Sequence, residues 1–146
     1  MGYIAGAGIY KTSIGGSNWV NVSSKDPQGY VDTRFSNVSR LIVDPADENI
    51  VVASTVIAGG ASAIFKTTDG GNSWTHRYGN TSRIQQIIAA PSDFNIQYAA
   101  VRGGNALRSN DAGLTYVKYY GDIIPTTRQI CRGLVSRTTV SYTHLT

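Results

Sequence analysis

Thr67-Thr68-Asp69-Gly70-Gly71-Asn72-Ser73-Trp74 is the stretch whose reading decides the fold. The apolar pair Ile64-Phe65 leads into it and Thr75-His76-Arg77 leads out, so the octet reads as a tight turn between two short strands. Each residue type has a turn role. The Asp69 carboxylate can accept from backbone N–H groups of the loop, Gly70 and Gly71 can take positive φ without steric cost, and the Thr67 and Ser73 hydroxyls can bond the same loop. Trp74 then returns a large, stiff ring to the apolar layer.

The frame recurs. Ser109-Asn110-Asp111-Ala112-Gly113-Leu114-Thr115-Tyr116 repeats hydroxyl, carboxylate, glycine, hydroxyl and aromatic at Ser109, Asp111, Gly113, Thr115 and Tyr116. Asp111 follows Asp69 by 42 residues (69 to 111), a period that suits one four-stranded propeller blade. An earlier copy, Thr12-Ser13-Ile14-Gly15-Gly16-Ser17-Asn18-Trp19, keeps Gly16 and Trp19 but carries Ile14 in the aspartate position. Its side-chain-to-turn bond is therefore expected to be missing.

Working outward, the same strand order appears twice. Ser39–Val43, the turn Asp44-Pro45-Ala46-Asp47-Glu48-Asn49, Ile50–Ser54 and Ala63–Lys66 precede the box at Thr67, and Trp74–Arg77 follows it. Ile84–Ile88, the turn Pro91–Asn95, Gln97–Val101 and Ala106–Arg108 precede the box at Ser109, and Tyr116–Tyr119 follows. Pro45 and Asn49 match Pro91 and Asn95 at a spacing of 46 (45 to 91), so the four residues in excess of 42 fall in the 55–62 loop. Arg83 stands at a strand start, as Arg40 does in the preceding unit.

Composition agrees with this reading. Charged residues make up 15% of the 146, glycines number 16, and β-branched and aromatic residues are abundant, which favours short strands and turns over helices. No apolar run approaches the roughly 20 residues of a membrane-spanning helix. The net charge of +4 comes from arginines scattered singly among strands, without the basic run and stacking aromatics that a nucleic-acid groove needs. Cys131 is the single cysteine, so no internal disulfide can form, and it reads as a buried thiol.

The motif of Thr67, Asp69, Gly71, Ser73 and Trp74, with its copy at Ser109–Tyr116, resembles the Asp-box or BNR repeat, whose pattern is Ser/Thr-x-Asp-x-Gly-x-Thr-Trp. The resemblance implies a recurring hairpin of β-propellers, with the boxes at the blade periphery and a structural role for their aspartates. The combination of Val43-Asp44-Pro45, a returning strand and the box is similar to blades of sortilin-like ectodomains and xyloglucan-degrading hydrolases. Sialidases share the box, but Ser82-Arg83-Ile84-Gln85 lacks the proline of their Arg-Ile-Pro signature.

The expected architecture is all-β, a fragment of a β-propeller with about two and a half four-stranded antiparallel blades. Residues 1–36 form a partial blade and connection, 37–80 and 81–121 two blades with boxes, and 122–139 the start of a further blade or a disordered segment. Residues 140–146 back-translate to the transposon-end adapter of sequencing libraries and are read as a non-native tail. A propeller closes its ring to remove exposed blade faces, so the remaining blades of a parent protein are an implied partner.

Chemistry is sparse at this level. Glycoside hydrolysis needs two opposed carboxylates, and Asp26, Asp44, Asp47, Glu48 and Asp93 sit in turns, with Asp32 and Asp122 in connections between blades. His76 has no neighbouring histidine or cysteine, so no metal site is expected, and the paired glycines precede no helix that would cradle a phosphate. No catalytic residue and no cofactor are assigned. The sequence is read as a non-catalytic scaffold of an exported, extracellular or cell-envelope protein that binds glycan or protein partners. Its alternatives are part of a xyloglucanase-like or sialidase-like hydrolase, and an assembly-factor propeller.

Overall fold

The computed structural model describes residues 8–13, 15–57, 59–103 and 106–119. Among the described residues, ten strands build three antiparallel sheets. β1 (Tyr10–Thr12) and β2 (Trp19–Asn21) form a two-stranded ribbon. β3 (Val38–Val43), β4 (Val51–Val56), β5 (Ser62–Thr67) and β6 (Thr75–Asn80) follow one another across the second sheet. β7 (Ile84–Ala90), β8 (Asp93–Val101), β9 (Ala106–Ser109) and β10 (Val117–Tyr119) do the same in the third.

The repeat is visible in details that composition does not dictate. β3 pairs with β4 through a bulge between Val38 and Arg40, and β7 pairs with β8 through a bulge between Ile84 and Gln86. These bulges stand at the same 46-residue spacing, so Arg40 corresponds to Gln86, and Arg40 Nε donates to Gln86 Oε1 at 2.6 Å between the sheets. The match of Arg83 with Arg40 is corrected here, because Arg83 precedes β7. The two first turns also coincide: Asp47 accepts from Asn49 N–H at 3.0 Å, and Asp93 from Asn95 N–H at 2.9 Å.

Burial follows the stacking of sheets. β5 is buried along its whole length, because alternate side chains enter different layers. Ile64 joins Val52, Ile84, Ile87, Ala99, Val101, Leu107 and Tyr116 in the layer between the second and third sheets. Phe65 joins Ile9, Phe35, Ala53 and Ala63 in the layer toward the first sheet. At roughly 1.5–3 kcal/mol for each large apolar side chain removed from water, these two layers dominate the cohesion of the stack.

The connection from the first sheet to the second contains a feature the sequence did not announce. Asp32 caps a short 3-10 helix, Thr33–Phe35, by accepting from Arg34 N–H at 2.9 Å, and this drives Phe35 fully into the core. The Phe35 ring lies 4.7 Å from Phe65 and 5.3 Å from Trp74. No helix interrupts the described residues from Ser39 to Tyr119.

Candidate functional site: the box turns and the seams between sheets

The second and third boxes have the same hydrogen-bond lattice. Gly71 N–H donates to Thr67 Oγ1 at 2.9 Å, the Thr67 hydroxyl donates to Asp69 Oδ1 at 2.7 Å, and Ser73 gives its N–H and hydroxyl to Asp69 at 2.9 and 2.6 Å. Gly113 N–H donates to Ser109 Oγ at 2.9 Å, the Ser109 hydroxyl to Asp111 Oδ1 at 2.8 Å, and Thr115 gives its N–H and hydroxyl at 2.9 and 2.6 Å. In the first box Gly16 N–H still donates to Thr12 Oγ1 at 3.1 Å. The hydroxyl that opens the frame thus keeps its role, while Ile14 lies outside the described residues.

The carboxylates are fixed as acceptors. Hydrogen bonds from the Ser73 hydroxyl, the Thr67 hydroxyl and the Ser73 N–H hold the Asp69 carboxyl down at about 2, against an ordinary 3.8. Burial pushes Asp111 upward, but the Thr115 hydroxyl and N–H and the Ser109 hydroxyl outweigh it and hold that carboxyl at about 2 as well. A carboxylate so engaged is a poor proton donor at neutral pH, which suits a turn fastener and not a general acid.

The boxes are also where neighbouring sheets meet. A Cβ placed on Gly71 would stand 2.6 Å from Val22 Cβ, so only glycine lets this turn press against the first sheet. Gly113 is pressed likewise, with Val52 Cγ2 of the second sheet 3.1 Å from the same position. Trp74 Nε1 donates to the Val22 carbonyl at 2.6 Å. Lys66, only 5% exposed, crosses the other seam and donates from Nζ to the Ala112 carbonyl at 2.8 Å. Burial, and then the charge of Arg77, hold its amine below the usual lysine range.

The two box aromatics differ. Tyr116 is 7% exposed, stacks edge-on to Tyr78 at 6.5 Å, and gives its hydroxyl to Gln97 Oε1. Burial, together with the Asp111 charge, pushes its phenol well above the ordinary range. Trp74 is only half-buried, because its indole lies across the edge of Phe35 and ends at the Val22 carbonyl. Trp19, with no sheet before it among the described residues, is 58% exposed.

Every described carboxylate has a local engagement. Asp26 accepts from Gln28 and Tyr30 N–H, Asp44 from Ala46 N–H, and Asp47 and Asp93 from Asn49 and Asn95 N–H. Asp32 pairs with Arg34 at 2.5 Å, and Glu48 with Lys11 at 3.3 Å. Hydrogen bonding to the Arg34 side chain leads the effects that lower the Asp32 carboxyl. Asp122, Cys131 and the 140–146 tail lie outside the described residues. Among the described residues no three histidines, cysteines or acids gather as a metal cluster, and no helix is long and apolar enough to cross a membrane.

Sequence reading did not single out the seam cations. Their signal is nonetheless present: Lys11, Lys66 and Arg108 each stand one residue before a box's opening hydroxyl.

Consecutive four-stranded antiparallel sheets, each joined to the next through an apolar layer, make this a β-propeller-type fold. The chain is similar to the Niastella koreensis GH74 enzyme, with a TM-score of 0.61 and 20% identity over 82% of this chain and 19% of that one. The GH74 xyloglucanase from Xanthomonas campestris aligns with a TM-score of 0.58 and 16% identity, over 79% of this chain and 18% of its own. An ancestral GH74 enzyme gives 0.58 and 18%, over 80% and 16%. The chain spans less than a fifth of the length of these neighbours. At these identities the likeness establishes the fold. The sequence matches no protein-family model and no curated protein.

Proposed function

We propose that this chain is a non-catalytic scaffold segment of an exported β-propeller, that its box turns are Asp-boxes, and that the propeller binds glycan. The observation that carries the proposal is the engagement of each described carboxylate in a turn bond or an ion pair, which leaves the acids as fasteners of loops and seams. Tyr30 supports the choice of ligand. It is 73% exposed on the connection 25–37, where a flat amphipathic ring can lie against a sugar, and loops of this kind carry the contacts of rigid scaffolds.

The second reading is a portion of a xyloglucanase-type glycoside hydrolase, favoured by the GH74 enzymes among its structural neighbours. One experiment separates them. The chain is titrated with xyloglucan oligosaccharides by calorimetry, and the same mixture is assayed for released reducing ends. Binding that weakens with Tyr30→Ala, without hydrolysis, is expected; turnover would replace the scaffold reading with the hydrolase one.

A further inference from the structure

The antiparallel order of the strands sorts charge to two ends of the second and third sheets. The turns at 44–49 and 91–95 and the boxes at 67–74 and 109–116 share one end, and carry Asp44, Asp47, Glu48, Asp69, Asp93 and Asp111. The loops 57–61 and 102–105 and the connection 81–83 share the other end, and carry Arg83 and Arg102 with no acid. The connection 25–37, which bears Tyr30, enters β3 at this second end. Its two acids are engaged locally, Asp26 by the N–H groups of Gln28 and Tyr30 and Asp32 by Arg34.

Arginines that stand singly in the sequence are gathered here into one corner. Arg102 N–H donates to the Arg83 carbonyl at 2.8 Å, so the two side chains leave adjacent points of the backbone. Arg83 precedes Ile84, whose N–H donates to Ser62 Oγ at 2.8 Å and whose carbonyl accepts from Ser39 Oγ at 3.4 Å. Arg40, next to Ser39, therefore lies across the seam from Arg83. Its Nε is fixed on Gln86 Oε1, which leaves both Nη groups for another acceptor. All three arginines are exposed, and among the described residues none of them pairs with a carboxylate. The corner belongs to the seam between the second and third sheets, and both of its walls are described.

The surface beside it is low and open. A Cβ placed on Gly59, Gly60 or Gly103 of the adjoining loops would meet nothing within 4 Å, whereas Gly71 and Gly113 at the other end are pressed against a neighbouring sheet. Like charges gathered without a counter-ion repel one another. A planar carboxylate that accepts a forked pair of N–H bonds relieves that repulsion, and guanidinium groups match it in shape.

We propose that the Arg40–Arg83–Arg102 corner binds an acidic glycan, one that carries carboxylates on its sugar units. The proposal rests on the glycan-binding reading above and adds the charge class of the ligand. A glycan fits better than a nucleic acid, because the loops and connections at this end hold a single exposed aromatic ring among the described residues, Tyr30, whereas a single strand of nucleic acid stacks its bases on a row of them.

The test is calorimetric titration of the 146-residue chain with an oligogalacturonide and, separately, with a xyloglucan oligosaccharide of similar length. The oligogalacturonide is expected to bind more tightly, with an advantage that shrinks as salt is raised. Arg83→Gln/Arg102→Gln is expected to weaken its binding roughly 10- to 100-fold. Lys11→Gln/Lys118→Gln removes the same charge away from the corner and is expected to keep the preference for the acidic ligand. Near-UV circular dichroism confirms that each variant is folded. Binding of xyloglucan without tighter binding of the oligogalacturonide would overturn the acidic class and leave the glycan reading standing; binding of neither would overturn both. Equal losses in the two double variants, or single-stranded DNA bound as tightly as an oligogalacturonide of matched charge, would also overturn the proposal, because net charge alone would then account for the attraction.

Discussion

Lys66 Nζ and the carbonyl of Ala112 meet at 2.8 Å, tying β5 of the second sheet to the box turn of the third. The bond lies at the rim of the apolar layer, where the box is already seated on Val52. It directs a cation from one unit to the backbone of the next, so it senses the distance between sheets.

Lys66→Met keeps the length of the side chain and removes its donors. It is expected to destabilise the chain by about 1–3 kcal/mol, since the Ala112 carbonyl loses a charged partner. Urea unfolding measures this, and an unchanged midpoint would show that the seam bond is dispensable.

Gly16→Ala and Gly71→Ala form a matched pair. Both glycines have positive φ, 88° and 95°, so both substitutions incur backbone strain of about 1 kcal/mol. Only at Gly71 does the new methyl meet Val22, at 2.6 Å, which adds about 1–3 kcal/mol of overpacking. Equal losses of stability would contradict the seating of the second box on the first sheet.

Trp74→Ala removes a half-buried ring, its contact with Phe35 and its bond to Val22, and is expected to cost about 2–4 kcal/mol. Asp69→Ala removes bonds of an exposed turn and is expected to shift the denaturation midpoint less. The reverse order would mean that the turn, and not the aromatic, anchors the hairpin.

Acid should loosen the boxes over a defined window. The Asp69 and Asp111 carboxyls lie at about 2 in the folded chain against 3.8 ordinarily, so the unfolded form binds protons more readily. Their stabilising contribution is complete above about pH 4 and is lost as pH falls toward 2. Thermal midpoints from pH 5 to 2 should fall more steeply for wild type than for Asp69→Asn/Asp111→Asn; parallel curves would rule out this contribution.

Strand order and box turns were legible because they rest on local chemistry. Asp69, Gly71 and Ser73 each act within a few residues of their own position, and the spacing of 46 between Asn49 and Asn95 carried the alignment of the first turns. What crosses between units was less so. Trp74 reads as an interior ring, but its cover comes from Phe35, in a connection without counterpart in the repeat, and from Val22, which follows the strand of the preceding unit. The partner of Lys66 lies 46 residues away, and no local pattern states it. The carboxylates had turn or connection positions in the sequence, while the pairing of Asp32 with Arg34 and of Glu48 with Lys11 needed coordinates.

The most direct test of box turns as seams is amide hydrogen exchange at Gly16, Gly71 and Gly113, measured on dilute, monomeric chain. All three N–H groups donate to the hydroxyl that opens their box, at 3.1, 2.9 and 2.9 Å, so they differ chiefly in whether a preceding sheet covers them. Exchange at Gly71 and Gly113 is expected to be slower than at Gly16 by on the order of a hundredfold, equivalent to about 3 kcal/mol of local opening. Equal rates at the three glycines would contradict the account, because the turns would then be self-contained and the sheets held together without them.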